Sequence, residues 1–263
     1  MDPEERPLGD AAADDPRTSE EADLRASLES LSRLSSGDLD LEGLLTRVAS
    51  YAVQAIPGAD GAGLTLLEQD RPDTVVATAS FVSHIDDIQY GMGQGPCISA
   101  AAEAKPVLSG SLGGDPRWPR FGGRVARLGV HSVVSLPLIA PDGVIGAMNV
   151  YAYAKNAFDE RAAQLGMGFA APAAIAVQNA HALARTRRLA AQLQTALEAR
   201  GVVDRAIGIM MSRSGGTVAE AMDRLRELSQ AEHRKMAVVA QHIVDEAVLR
   251  AARYSSAGEN PTG

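Results

Sequence analysis

Apolar positions recur along this chain with two periods that alternate. Leu24, Leu28, Leu31 and Leu34 fall at helical spacing and predict a short amphipathic helix within residues 19–36, ended by Ser36-Gly37. A second helix is expected from about Asp40, with Leu41, Leu44, Leu45, Val48 and Ala52 on one face, and it stops at Pro57-Gly58. From residue 61 the period drops to two, and GAGLTLLE, TVVATAS and VSHIDDIQ read as three strands between turn residues. YGMGQGP interrupts this pattern, and Pro96 opens a helix, since the first helical position tolerates a missing N–H. KPVLS reads as a strand and GGDPRWPRF as a loop entering a helix that reaches Gly129. VHSVVSLPLI and VIGAMNVYAYA flank Pro141-Asp142-Gly143 as a long hairpin. Hairpin-like strand pairs interleaved with helices predict an α+β domain, an antiparallel sheet flanked by helices.

The remainder is helical. Asp159 caps a pattern in which only Gly166, Gly168 and Pro172 interrupt before Arg200. Leu183, Leu189, Leu193, Leu197, Val203, Ile207 and Met210 continue it as a stripe, predicting a long helix that joins the α+β domain to the C-terminal part of the chain. Two such stripes pressed together would make a parallel homodimer; packing on the chain's own neighbours is the alternative. Gly215-Gly216 then turns the chain. Thr217 and Glu220 match a capping box, and Ser229 with Glu232 reads as a second one, opening a last helix with Met236, Val239, Ala240, Ile243 and Val244 inside. The C-terminal part is therefore a three-helix unit.

Charge sharpens the division. The whole chain carries a net −8, yet residues 1–35 hold ten acids against four arginines while residues 185–253 hold twelve Lys/Arg against eight acids. The overall balance argues against indiscriminate nucleic-acid binding, and the local one leaves room for a specific basic face. Pro-, Ala- and Asp-rich residues 1–18 are expected to be a disordered acidic tail, and residues 249–263 a flexible one. The acidic N-terminus has no apolar signal core and no apolar run reaches membrane-spanning length, so a cytoplasmic location is expected. A single cysteine, Cys97, excludes an internal disulfide.

The three-helix unit has neither paired carboxylates nor a metal-ligand cluster, but it offers Arg200, Arg205, Arg213, Arg224, Arg226, Arg234 and Lys235 outward. Guanidinium forks suit phosphate oxygens and stack on bases; a solvated, salt-bridged surface is the plainer reading. The stretch ALEARGVVDRAIGIMMSRSGGTVAEAMDRLRELSQAEHRKMAVVAQHIV closely resembles the ANTAR domain, an RNA-binding antitermination module, over nearly all of residues 190–245. Arg200, Ala206, Gly208, Gly216, Glu220, Ala221, Gln230, Arg234 and Lys235 fill places of that pattern. Ile207 and His233 depart from it, standing where the family has Lys and Asn, at positions where RNA contact is expected. The resemblance implies a hairpin-RNA surface of Arg200, Arg205, Gly208, Arg213, His233, Arg234 and Lys235. Gly208, unfavourable inside a helix, suggests close approach of another helix or of RNA.

Residues 38–184 carry Gly-Pro-Cys before a helix, an Asp-Pro-Arg-Trp-Pro loop, a Ser-x-Pro-Leu strand and a Gly-x-aliphatic-Asn strand, and resemble a GAF domain, which cups a small molecule or nothing. That resemblance implies a sensor ahead of an RNA-binding module, with Cys97, Trp118 and His131 as ligand-binding candidates and no identified cofactor. Cys97 at a helix N-terminus is either a reactive thiolate or a small buried hydrophobe. His131 and His84 are haem candidates or plain structural residues, and KNAFDE partly matches the signature of cyclic-nucleotide GAF domains. Sulfoxide reduction, known from some GAF proteins, needs a resolving cysteine that one thiol cannot supply, so no catalysis is expected. The chain thus reads as an antiterminator regulated by a small-molecule effector or a partner, or alternatively as a signalling adaptor whose helical tail makes only protein contacts.

Overall fold

The computed structural model describes residues 16–34, 39–68 and 71–258. It divides into two compact units between Ala184 and Arg185. In the first, β1 (Gly61–Glu68), β2 (Arg71–Ala77), β3 (Val107–Ser109), β4 (Ser132–Ala140) and β5 (Gly143–Ala152) form one antiparallel sheet in the order β2-β1-β5-β4-β3. The β4–β5 hairpin closes at Ala140↔Gly143, around Pro141-Asp142. Strand side chains alternate between faces, which sorts the core into two layers. Leu64 and Leu66 of β1, Val134, Leu136 and Leu138 of β4, and Met148 and Val150 of β5 pack against α1 (Pro16–Ser32), α2 (Leu41–Ala55) and the first turns of α6 (Glu160–Ser214). On the opposite face, Val133 and Tyr151 join side chains from α3 (Ser80–Met92), α4 (Pro96–Glu103) and α5 (Pro119–Val125).

Local chemistry places these helices. Asp40 caps α2, its carboxylate accepting from the Gly43 N–H at 2.8 Å, and Asp159 caps α6 through the Ala162 N–H at 2.8 Å. The helix from Asp159 runs unbroken through Gly166, Gly168 and Pro172 to Ser214, with Pro172 on its exposed side.

Two expectations need correction in this unit. VSHIDDIQ is not a strand but the body of α3, whose buried residues are Val82, Ile85, Asp86 and Gln89. Their spacing is helical; a short run with apolar residues three apart fits neither period decisively, and the adjoining strands bias the reading. The N-terminal helix begins at Pro16, inside the segment expected to be disordered, and its last turn ends before Ser36-Gly37, which lies outside the described residues. Residues 1–15 of the acidic tail also lie outside them.

The second unit comprises the C-terminal part of α6, α7 (Val218–Ala231) and α8 (Met236–Gly258) around Val203, Ala206, Ile207, Leu225, Val239 and Ala240. Gly215 and Gly216 both adopt positive φ, 71° and 95°, so the two-glycine turn between α6 and α7 is required by the backbone. The Thr217–Glu220 capping box is present: the Glu220 N–H donates to Thr217 Oγ1 at 3.3 Å and the Thr217 N–H to Glu220 Oε2 at 2.8 Å. The Ser229–Glu232 box is not. Ser229 lies in the last turn of α7, and its hydroxyl donates to the Arg234 carbonyl at 2.6 Å. The Arg234 N–H returns to the Ser229 carbonyl and the His233 N–H to that of Gln230, a Schellman closure with His233 left-handed at φ 52°. Leu228 is 37% exposed, and α8 continues to Gly258, through residues 249–258 of the expected flexible tail.

Candidate functional site

Each unit carries one candidate site. In the first, α3 ends in the turn Gly93-Gln94-Gly95. Gly93 is left-handed (φ 63°), and a side chain on Gly95 would strike Gln89 Cγ at 2.6 Å. This turn starts α4 directly over α3, so that the Cys97 N–H donates to Gln89 Oε1 at 3.0 Å and Cys97 Sγ lies 3.2 Å from the Tyr90 hydroxyl. Beside them opens a cavity of about 490 Å³ lined by Leu67, Tyr90, Cys97, Ile98, Val144 and Ala147 among others. Its walls are chiefly apolar, as in most small-molecule sites.

Under Tyr90 and Cys97 the sheet presents polar residues instead of the expected aliphatics. Thr65, Ser135 and Asn149 are each fully buried, as are Asp86 and Gln89 from α3 to within 2%. Ser135 Oγ donates to Asn149 Oδ1 at 2.7 Å, and the Tyr151 hydroxyl approaches Asp86 Oδ1 at 3.5 Å. Among the described residues Thr65 Oγ1, Asp86 Oδ2, Gln89 Nε2 and Asn149 Nδ2 make no well-formed hydrogen bond; Asn149 faces Asp86 and Cys97, and Thr65 faces Tyr90 and Cys97, without closing one. Burial pushes the Asp86 carboxyl up to about 7, with the Tyr151 hydroxyl opposing and neighbouring Asp87 adding to the shift.

Cys97 therefore lines the cavity, but not as a reactive thiolate. Burial raises its thiol to about 11, outweighing the helix N-terminus. Trp118 does not line the cavity. It sits 5% exposed in the core, its indole Nε1 donating to Ser99 Oγ at 3.1 Å and the Arg117 guanidinium 4.3 Å over its ring. The Asp-Pro-Arg-Trp loop is a structural clasp: Arg117 grips both Asp115 oxygens and the Leu108 carbonyl, and holds the Asp115 carboxyl down to about 2. His131 ties the end of β5 to the turn at Leu112 through its backbone, donating to the Ala152 carbonyl and accepting from the Leu112 N–H, and is not among the cavity residues; His84 is exposed on α3. Among the described residues no cluster could hold a metal ion. Asp86, Gln89 and Asn149 were not candidates from sequence. The available signal was a helical face on which Val82 and Ile85 give way to Asp86 and Gln89.

In the second unit, Arg200, Arg205, Gly208, Arg213, His233, Arg234 and Lys235 are all exposed. Arg205, Gly208, Ser212 and Arg213, together with Ala247 of α8, line an open groove of about 540 Å³. Arg200, Arg226 and Arg234 pair with Asp204, Asp223 and Glu232, whereas Arg205, Arg213, Arg224 and Lys235 make no ion pair among the described residues. A side chain on Gly208 would meet nothing within 4 Å, so none of the described helices comes into contact with it. Ile207 is 5% exposed in the bundle core, which removes it from the surface where RNA contact is expected.

The family model for the GAF domain matches residues 38–178, and that for the ANTAR domain matches residues 191–244. No curated protein matches the chain. Among solved structures, the GAF domain of a phosphoenolpyruvate-protein phosphotransferase from Acinetobacter is 13% identical, covering 63% of this chain and 97% of that one (TM-score 0.45). The corresponding domain from Coxiella burnetii is 17% identical, covering 66% and 99% (TM-score 0.45). A free methionine-R-sulfoxide reductase from Neisseria meningitidis is 16% identical, covering 64% and 91% (TM-score 0.45). The described residues contain no helix long and apolar enough to cross a membrane. With an antiparallel sheet flanked by helices in front and a basic helical unit behind, the chain belongs to the GAF domain family and carries an ANTAR domain after it, a pairing of two regulatory modules.

Proposed function

We propose that this protein is a cytoplasmic transcription antitermination regulator. The ANTAR unit binds hairpins in nascent RNA, holding a form that prevents a terminator from folding, and the GAF unit sets that activity in response to a small molecule or partner. The observation that carries the reading is the groove around Gly208, flanked by Arg205 and Arg213, two cations without an ion-pair partner among the described residues. Arg200, paired with Asp204, presents less net charge to a phosphate, whereas two guanidiniums unpaired among the described residues and flanking one groove favour an anionic partner. The left-handed turn bearing His233, with Arg234 and Lys235 after it, supplies a further cationic edge. No catalytic step is assigned to either unit: Cys97 is the single thiol and is held protonated.

The exposed leucines of α6 support a homodimer, in which two RNA-binding units act on linked hairpins with a gain in effective concentration. They are also the feature that favours the alternative, an adaptor making protein contacts alone. A gel-shift titration with a stem-loop RNA separates the two. Binding should weaken steeply with salt. Arg205→Glu/Arg213→Glu and Arg234→Glu/Lys235→Glu should each lower affinity and reduce the salt slope by about one for each phosphate no longer neutralised. Salt-independent or absent binding by the folded wild type would sink the RNA reading.

A further inference from the structure

The polar layer beneath the GAF cavity is costly in its present form. Among the described residues, four buried polar atoms on Thr65, Asp86, Gln89 and Asn149 make no well-formed hydrogen bond, and native proteins leave few such atoms unsatisfied. They lie together. Gly63, beside Asp86 Oδ2, is in register with Asn149, whose neighbour across the next strand is Ser135; Thr65 follows two residues along β1. Gln89 and Tyr90 come from the turn of α3 after Asp86, and Asn149 and Thr65 both neighbour Cys97. Tyr90 and Cys97 line the cavity, so their 3.2 Å contact is the partition between an apolar chamber and a layer of unpaired polar atoms.

The donor–acceptor pattern selects a ligand. Gln89 is fixed in orientation because its Oε1 accepts from the Cys97 N–H, so Nε2 can only donate. Asn149 Oδ1 accepts from Ser135, leaving Nδ2 to donate. Asp86 Oδ2 is the complementary acceptor once its carboxyl has ionised, above about pH 7. No Lys or Arg lines the cavity among the described residues, so an anionic head group would meet Asp86 without a counter-ion. A bare cation would satisfy Asp86 but oppose two amide N–H groups.

We propose that this layer is the head-group subsite for an uncharged amide-type ligand, a carbonyl and N–H edge on an apolar body, which enters from the cavity by displacing the Tyr90–Cys97 contact. The carbonyl accepts from Gln89 Nε2 and Asn149 Nδ2, the N–H donates to Asp86 Oδ2, and the apolar body lies against Leu67, Ile98 and Val144. This rests on the GAF unit being the sensor and names what it senses.

Hexanamide, hexanoate and hexylammonium share one chain and differ only in the head. Their binding to the full-length protein is measured by calorimetry at about pH 8, where the Asp86 carboxyl is ionised, with the emission of Trp118, tied to α4 through Ser99, as a second readout. Hexanamide should bind at least tenfold tighter than either charged probe. Gln89→Glu, which keeps an acceptor for the Cys97 N–H but replaces the free donor by an oxygen, should lose at least tenfold in hexanamide affinity. Asn149→Asp, which keeps an acceptor for the Ser135 hydroxyl but replaces the other free donor by an oxygen, is the second variant, with an expected loss of severalfold; thermal melting confirms that each variant is folded. Equal binding of all three probes, tighter binding of hexylammonium, no hexanamide binding, or hexanamide affinity unchanged in the folded variants would overturn the proposal. RNA is absent from these assays, so their failure leaves the RNA-binding reading standing, and failure of the gel shift leaves this one.

Discussion

Asp86 and Cys97 sit in the same buried layer, and in both burial disfavours the charged form. For Asp86 the folded value, about 7, lies above the ordinary carboxylate value of 3.8, so the folded state holds a proton that the unfolded state has released. Stability from this group is complete below about pH 4 and declines as pH rises through 7, by up to about 1.4 kcal/mol per pH unit between those limits. The groups facing it are Tyr151, Asp87, Tyr90 and Cys97; the tyrosines and the thiol, all raised, remain neutral across this window. Asp86→Asn should flatten the slope and raise stability at pH 8, as read from urea unfolding at pH 5.5 and pH 8. A mutant as pH-dependent as the wild type would place the titration elsewhere. Cys97, 3% exposed with its thiol raised to about 11, should react with an aromatic disulfide reagent at pH 7.5 only after denaturation. Rapid labelling of the native protein would contradict the buried, protonated thiol.

At the scale of elements, helix ends and helix faces behave separately. Thr217→Ala removes a two-way cap and should destabilise the ANTAR unit by about 1 kcal/mol. Gly208→Ala should do the opposite: its Cβ enters open space, and alanine is favoured over glycine inside a helix by about 1 kcal/mol. Gly208→Leu should also fold, yet fill the groove between Arg205 and Arg213 and abolish stem-loop binding. Thermal melts and gel shifts on the three variants test this, and unimpaired RNA binding by Gly208→Leu would remove Gly208 from the proposed interface. The same distinction explains what could be read from sequence. The β4–β5 hairpin, α2, the helix from Asp159 and the two-glycine turn all announce themselves through period, cap or glycine, because their causes are local. The break between α7 and α8 does not: Ser229 and Glu232 have the spacing of a box, but whether Ser229 serves an N-terminus or a C-terminus depends on the left-handed residue at 233. Reading α3 as a strand has a larger consequence, since a period of two puts Asp86 and Gln89 on opposite faces and conceals the layer they build with Asn149. The residues of the basic face were legible because charge is visible in sequence. The polar layer was not, because it is assembled from strands and helices far apart in the chain.

In the molecule as a whole, the most exposed helical stretch lies within the 55 residues of α6. Every residue from 185 to 198 is exposed, including Leu189, Leu193 and Leu197 at 56%, 57% and 67%. In proteins most helical stability comes from packing an amphipathic face, so exposed leucines on one face are a reason for a partner. Burying each fully against a second copy would contribute on the order of 1.5–3 kcal/mol. Leu193→Lys/Leu197→Lys should therefore yield a folded monomer that binds a two-hairpin RNA much more weakly and a single hairpin nearly as before. A wild type that sediments as a monomer at micromolar concentration while gripping the two-hairpin RNA tightly would exclude dimerisation as the source of affinity. The same bare stretch makes its backbone a timekeeper. Four turns whose amides are guarded only by their own helix should exchange hydrogen for deuterium far sooner than the amides of the sheet. If a second copy covers them, their exchange should slow as protein concentration rises while that of the sheet stays constant.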